Sequence, residues 1–392
     1  RWFRRGGTQF TNAFATTPLC CPSRASIFTG MYAHNHGVLR NRLGPSMDSS
    51  ATMQRVLHDA GYHTAIAGKY LQGIKLPQDP PHFDQWRTLK VGYDDVYYNA
   101  NGSLRRIPGY STDVLGRFAR RWVTGMEASD PDPWFLYIAP YAPHQPFTPA
   151  PRHDDAPLPR LRPTPAMRER DRSDKPTFVR RQSFDPREGR AILRAQLRTL
   201  ISVDELVGRL FQTLRKTGEA RNTLAFFLSD NGFMLGEHGL YAKRLPYTLS
   251  TGIPLLVRWP GRLPGGVRDG RIAANIDVAA TVFDAAGVAP EHQPDGRSLL
   301  SPDRRARLLL EEYENAPKGL PDWAALRSRA WHYVEYFDKE GTLVAREYYD
   351  LVNDPWLLDN LLGDARSAND PDVDALSREL ASVRSCEGKG CP

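Results

Sequence analysis

A thiol and a guanidinium four residues apart, Cys20 and Arg24, stand in the run Leu19-Cys20-Cys21-Pro22-Ser23-Arg24-Ala25-Ser26-Ile27-Phe28-Thr29-Gly30. Pro22 suits the first turn of a helix, where its missing N–H costs nothing, and Ala25, Ile27 and Phe28 then form an apolar helical face. The spacing predicts a turn entering a helix, with Cys20 just before its N-terminus. Unpaired N–H groups and the positive dipole end favour an anion there. Arg24, one turn on, can aim its planar fork at the same point. Together these groups describe a centre that grips an oxyanion. Taken alone, a cysteine at a helix start is more often a small buried apolar residue.

Three other chemically capable groups follow apolar runs. Tyr62–Ala67 reads as a strand delivering Gly68-Lys69-Tyr70, and Trp134–Ala139 as a strand ending in Ala142-Pro143-His144-Gln145-Pro146. Thr223–Ser229 reads as a third, stopping at Asp230-Asn231-Gly232. The last two runs are continuously apolar, as expected of strands buried on both faces. In open parallel sheets ligands bind at the C-terminal strand ends, where Lys69, His144 and Asp230 would lie. An aspartate followed by an asparagine supplies two hard oxygens suited to Ca²⁺ or Mg²⁺; Asn-Gly is also an ordinary turn signal. His34 and His36, at i and i+2 after the helix, can take part in proton transfer or pack as turn residues.

The elements that must position these groups alternate. Met53–Ala60, Thr112–Thr124, Ala191–Lys216 and Ile276–Ala286 have helical spacing, while Phe10–Phe14, Ile253–Val257 and Arg307–Tyr313 read as further strands. Phe83–Asn99 reads as an aromatic loop, and Pro146–Pro186 as a long irregular excursion. Beyond Tyr313 the pattern changes. Ser328–Phe337 and Thr342–Asp350 alternate as an antiparallel hairpin before a final helix at Val373–Ser385. Buried strands alternating with helices predict an α/β sandwich with a mostly parallel sheet.

The 392 residues suffice for one large domain and a smaller one. A net charge of +7 favours anions, but the charges scatter apart from Arg1–Arg5 and Arg168–Arg181, which argues against a nucleic-acid partner. No apolar run approaches the ~18 residues of a membrane span. Arg1–Thr11 lacks the apolar core of a signal peptide. Cys386 and Cys391 bracket a short loop and can either form a disulfide, which favours an oxidising extracellular or periplasmic setting over the cytoplasm, or stay reduced.

Cys20-x-Pro22-Ser23-Arg24 followed by Thr29-Gly30 resembles the signature of the type I sulfatases. Pro22-Ser23-Arg24 fixes the register, so that Cys20, not Cys21, corresponds to the cysteine that the family oxidises to formylglycine (3-oxoalanine). Gly68-Lys69-Tyr70-Leu71 is similar to the glucosamine-6-sulfatase and endosulfatase branch, whereas many other members carry a histidine where Leu71 stands. Ala142-Pro143-His144, Ser229-Asp230-Asn231-Gly232 through His238, and Tyr349-Asp350-Leu351 with Asp354-Pro355 and Asn360-Leu361 match in order.

The resemblance, which runs from Phe10 onward, implies an alkaline-phosphatase-like fold with a catalytic unit at 1–315 and a small antiparallel unit at 316–392. It implies catalytic roles for Cys20, Arg24, Lys69, His144 and Lys243, substrate contacts from Lys69, His144, His238 and Lys243, and a Ca²⁺ (or Mg²⁺) ion on Cys20, Asp230 and Asn231. A hydroxyl of hydrated formylglycine would attack the sulfur of a sulfate monoester while His144 assists the leaving alcohol. The second hydroxyl would then lose its proton, with His34 and His36 as candidate acceptors. Implied partners are a sulfated small molecule or glycan and a separate formylglycine-generating enzyme. The family places one more strand and helix before Phe10, ending in a metal-binding aspartate pair. Arg1–Gln9 contains no aspartate, so the chain as it stands is expected to bind metal weakly and turn over little, whereas a chain with that upstream segment restored is expected to be active. Relatives with the same motif cleave phosphonate monoesters or phosphodiesters, and an inactive sulfated-glycan-binding protein is a third reading.

Overall fold

A computed structural model describes residues 2–129, 132–313 and 320–392. Its strands are β1 (Thr8–Phe14), β2 (His63–Gly68), β3 (Gln85–Leu89), β4 (Tyr97–Ala100), β5 (Ser103–Arg106), β6 (Trp134–Ala139), β7 (Ala225–Leu228), β8 (Met234–Leu235), β9 (Tyr241–Ala242), β10 (Leu255–Arg258), β11 (Val267–Ala274), β12 (Arg307–Glu312), β13 (Asp322–Ser328), β14 (Trp331–Phe337) and β15 (Leu343–Asp350). The helices that matter to the site are α1 (Cys20–Thr29), α2 (Ser111–Ser129), α3 (Pro186–Thr217), α4 (Asp277–Ala286) and α5 (Val373–Val383).

Two sheets build the α/β unit, in the orders β11-β1-β10-β7 and β5-β4-β3-β2-β6. Both are mixed. β1 is parallel to β11 and antiparallel to β10, and β2 is parallel to β3 and β6, with β4 and β5 added as an antiparallel margin. Two helical layers sandwich them. On one face Trp122 and Val123 of α2 and Phe211 and Leu214 of α3 pack with Ala65, Leu136 and Ala225. On the other, Ile27 and Phe28 of α1 and Val278 and Phe283 of α4 pack with Ile66, Phe135, Tyr137, Phe226 and Leu228. β6 and β7 thus share both layers, yet each is the edge strand of a different sheet. Their residues are half-buried, not buried on both faces as their composition predicts, because each has a hydrogen-bonded neighbour on one side only.

Several elements differ from the sequence reading for local reasons. α3 starts five residues before Ala191, because Asp185 caps it by accepting the Arg187 N–H at 2.7 Å and Pro186 fills its first position. The stretch read as an aromatic loop at Phe83–Asn99 contains β3 and most of β4. β11, hidden behind the glycines and prolines at 260–266, pairs along nearly all of β1. Arg1–Gln9 includes a short helix, Trp2–Gly6, whose Trp2 stacks on Phe211 with ring centroids 5.3 Å apart.

The C-terminal sheet is antiparallel, in the order β12-β13-β14-β15. β12 belongs to it and not to the α/β sheets; the boundary read between 315 and 316 lies outside the described residues. Leu308, Leu310, Leu326, Tyr333 and Val334 form its core, against which Leu380 of α5 and the bonded pair Cys386–Cys391 pack. Among the described residues no helix is long and apolar enough to cross a membrane.

Candidate active site

Every residue of α1 is buried. The helix begins at Cys20 itself, with Leu19 extended before it; the Cys21 N–H donates to Asn41 Oδ1 at 3.0 Å, Pro22 has none to place, and the Ser23 N–H donates to the Leu19 carbonyl at 2.9 Å. It stops at Gly30, whose φ of 74° favours glycine and where a Cβ would lie 2.9 Å from Pro294. Arg24, 2 % exposed, spans to the end of β7, with Nη1 2.6 Å from Asp230 Oδ2 and Nε donating to the Tyr70 carbonyl at 2.7 Å. Ser23 Oγ donates to the Asp230 carbonyl. The first turn of α1 is thereby locked to the ends of β2 and β7.

The remaining groups arrive from separate elements. Lys243, just after β9, donates from Nζ to Cys20 Sγ and lies 3.3 Å from Asn231 Oδ1. Lys69, at the end of β2, stands over the Tyr141 ring with Nζ 4.6 Å from its centroid. His144, beyond β6, is beside the Cys20 thiol; its Nδ1 donates to the Gln145 carbonyl at 2.9 Å, which leaves Nε2 for the site. Cys20, Arg24, Lys69, His144, Asp230, Asn231 and Lys243 therefore gather at one place, drawn from the ends of strands in both sheets.

The field there is strongly positive. Burial and the Asp230 carboxylate push the Cys20 thiol up, but a hydrogen bond from His144 and the charges of Lys243 and Arg24 outweigh them and bring it down to about 6. Burial together with the neighbouring cations lowers Lys69 to about 8. Asp230 is held below the usual carboxylate range, the charges of Arg24, Lys243 and Lys69 overcoming its burial. Cys21 is the opposite case. Burial raises it to about 11, and it faces the apolar core with Sγ 3.8 Å from the Gln72 carbonyl. One step along a helix separates an anion site from a core position.

A lowered thiol predicts a specific pH dependence. The unfolded thiol titrates near 9.0 and the folded one near 6, so the Cys20 contribution is complete above 9 and is lost as pH falls through 6. In the unmodified chain, the urea stability difference between wild type and Cys20→Ala should rise with pH from 6 to 9. A flat difference would remove the electrostatic account.

Other candidates lie elsewhere. His34 is held between Glu311 (Nδ1, 2.8 Å) and the Cys386 carbonyl (Nε2, 2.9 Å). His36 Nε2 is 3.0 Å from Ser26 Oγ, its Nδ1 accepts the Val38 N–H at 3.1 Å, and burial lowers it to about 3. With both nitrogens of each ring hydrogen-bonded, these histidines tie the helix and the C-terminal loop together. His238 is 2 % exposed, pairs with Glu169 at 2.8 Å and stacks on Tyr247. It lines a cavity of about 330 Å³ with Met234, Tyr247 and Trp356. Arg244 was not singled out from sequence, yet its 2.8 Å pair with Glu312 and the Trp323 indole on its carbonyl fix the turn that carries Lys243. Tyr141 was also missed, although its place two residues beyond β6 was a usable signal.

Asp230 and Asn231 are oxygen donors of the kind that Ca²⁺ or Mg²⁺ accepts. Their number falls short of the 6–8 oxygens of calcium. Asp230 Oδ2 is engaged by Arg24 and Asn231 Oδ1 by Lys243, and among the described residues no three His, Cys, Asp or Glu side chains form a metal cluster. The donors fit in kind and not in number.

A sulfatase family model matches residues 2–288, and a model described as N-sulphoglucosamine sulphohydrolase, C-terminal, matches 236–385. The chain is similar to human N-acetylglucosamine-6-sulfatase, with 31 % identity covering 98 % of this chain and 80 % of that protein. A structure solved in complex with its substrate D-glucosamine-2-N,6-O-disulfate superposes with a TM-score of 0.82 at 24 % identity, over 97 % of this chain and 91 % of that one. The phosphonate monoester hydrolase of Agrobacterium radiobacter shares the fold at a TM-score of 0.71 and 22 % identity, over 98 % and 89 %. With one family model spanning most of its length and a relative aligned almost end to end, this chain belongs to the sulfatase family and is a sulfuric ester hydrolase.

Proposed function

We propose that the chain hydrolyses sulfate monoesters of a glucosamine-containing glycan, with formylglycine made from Cys20 as its nucleophile. The observation that carries this reading is the convergence of Arg24, Lys69, Lys243 and His144 on the buried side chain at position 20. The glycan class is suggested by the named relatives and by the branch-like Gly68-Lys69-Tyr70-Leu71.

The oxidised, hydrated side chain would supply a hydroxyl for attack on sulfur. A Ca²⁺ or Mg²⁺ ion, if held, would take side-chain oxygens of Asp230 and Asn231 as two of its ligands and add positive charge. Lys69 and Lys243 stabilise the sulfuryl oxygens, with Arg24 holding Asp230 beneath them. His144, anchored through Nδ1, presents Nε2 to protonate the departing alcohol. His238 and Trp356, which line one cavity, would be the side chains to meet the sugar. The unit from β12 onward packs behind the Lys243 turn and supports it through Glu312.

The test uses protein co-produced with a formylglycine-generating enzyme. Mass spectrometry of the peptide containing Cys20 should detect the aldehyde, and N-acetylglucosamine 6-sulfate should be cleaved with a higher kcat/KM than an aryl phosphonate monoester. Faster phosphonate turnover would reassign the enzyme, and an unmodified thiol in every molecule would remove the nucleophile from the account.

A further inference from the structure

A second basic cavity, of about 310 Å³, is lined by Arg271 and Ile272 of β11, Arg304 and Arg305 before β12, and Ser328 and Arg329 at the β13–β14 turn. It is distinct from the Cys20 site. Its lining shares no residue with that site, and β12, which runs from Arg307 beside the cavity to Glu312, the partner of Arg244, spans roughly 16 Å between them in five residue steps of ~3.3 Å.

The charges of this cavity are incompletely matched. Arg271 pairs with Asp269 at 2.8 Å and donates to the Ser301 carbonyl at 2.7 Å. Arg305 is clasped by Asp277 at 2.6 and 2.8 Å, yet its buried Nε has no hydrogen-bond partner among the described residues. Arg304 and Arg329 are exposed and have no ion pair among the described residues. Arg329 lies over β11, where a Cβ at Gly270 would meet its Nη2 at 3.6 Å. Among the described residues no acidic side chain lines the opening. A buried donor without an acceptor is costly, and guanidinium forks match the planar or tetrahedral oxygens of an anion.

We propose that this cavity is an exosite for a sulfate group of a glycan, holding one sugar of a polyanionic chain while another occupies the Cys20 site. The choice of a sulfated glycan rests on the sulfate-ester reading above; the anion preference rests on the arginines alone.

Binding of a sulfated glucosamine-containing hexasaccharide would be measured by calorimetry for wild type and R304Q/R329Q, beside inorganic sulfate and an oligonucleotide of equal charge. The double variant should bind the hexasaccharide at least tenfold more weakly, since two charge-assisted contacts are lost. Its thermal midpoint and its hydrolysis of N-acetylglucosamine 6-sulfate should match wild type. Hexasaccharide affinities equal within twofold would overturn the proposal. An equal loss for the oligonucleotide would overturn the sugar assignment, and so would a tenfold loss confined to inorganic sulfate. If neither protein cleaves any sulfate ester but the hexasaccharide still loses tenfold, the exosite stands and the reading of the Cys20 site falls.

Discussion

Cys20→Ala should abolish sulfate-ester hydrolysis, lowering kcat/KM by at least ~10⁴-fold, while Cys21→Ala, one residue away, should keep most of it. The two thiols face opposite environments. Cys20 sits under Lys243 and His144, whereas Cys21 packs with Ile27, Phe28 and Leu71. Cys21→Ala instead removes a buried apolar contact and should cost about 1–2 kcal/mol of stability. Steady-state kinetics on N-acetylglucosamine 6-sulfate and urea unfolding of both variants separate the effects. Comparable activity losses in the two would show that the register of α1 had been misread.

The largest structural effect should come from Asp277→Ala, about 3–5 kcal/mol of destabilisation. Asp277 is 1 % exposed and accepts both forks of the buried Arg305, as well as the Ala274 N–H at 2.7 Å and the Arg297 N–H at 2.9 Å. Its removal strands a buried cation and unties the junction of β11 with α4. Replacing Arg305 by methionine in the same chain should recover a large part of the loss, because an apolar pair of similar volume avoids the unpaired charge. Denaturant unfolding of the single and double variants measures this. A loss below about 1 kcal/mol in the single variant would mean that water replaces the carboxylate.

Local chemistry explains what the sequence disclosed. Pro22 placed the helix start to within a residue, and the apolar runs before Lys69, His144 and Asp230 are strands whose ends meet. Glycines and prolines that punctuate a chain also concealed β11, because its partner β1 lies some 250 residues away and only that pairing makes it a strand. The roles of His34 and His36 were equally non-local. His34 is decided by Glu311 and Cys386, and no spacing near residue 34 announces those partners. Arg244 owes its importance to Glu312 and Trp323 of the C-terminal sheet, again invisible from its own neighbourhood. The Cys386–Cys391 bond, left open by the sequence, closes a loop that supports His34.

The unjoined borders of β6 and β7 carry a consequence for how the catalytic groups are held. His144 hangs from one border and Asp230 from the other, so their mutual distance is set by helices above and below, not by a shared ladder. Backbone donors and acceptors along such borders recruit extended polypeptide. An extended segment paired with both borders would join the two half-sheets into a single pleated layer. The stiffness of the reaction centre is in that sense governed by a seam.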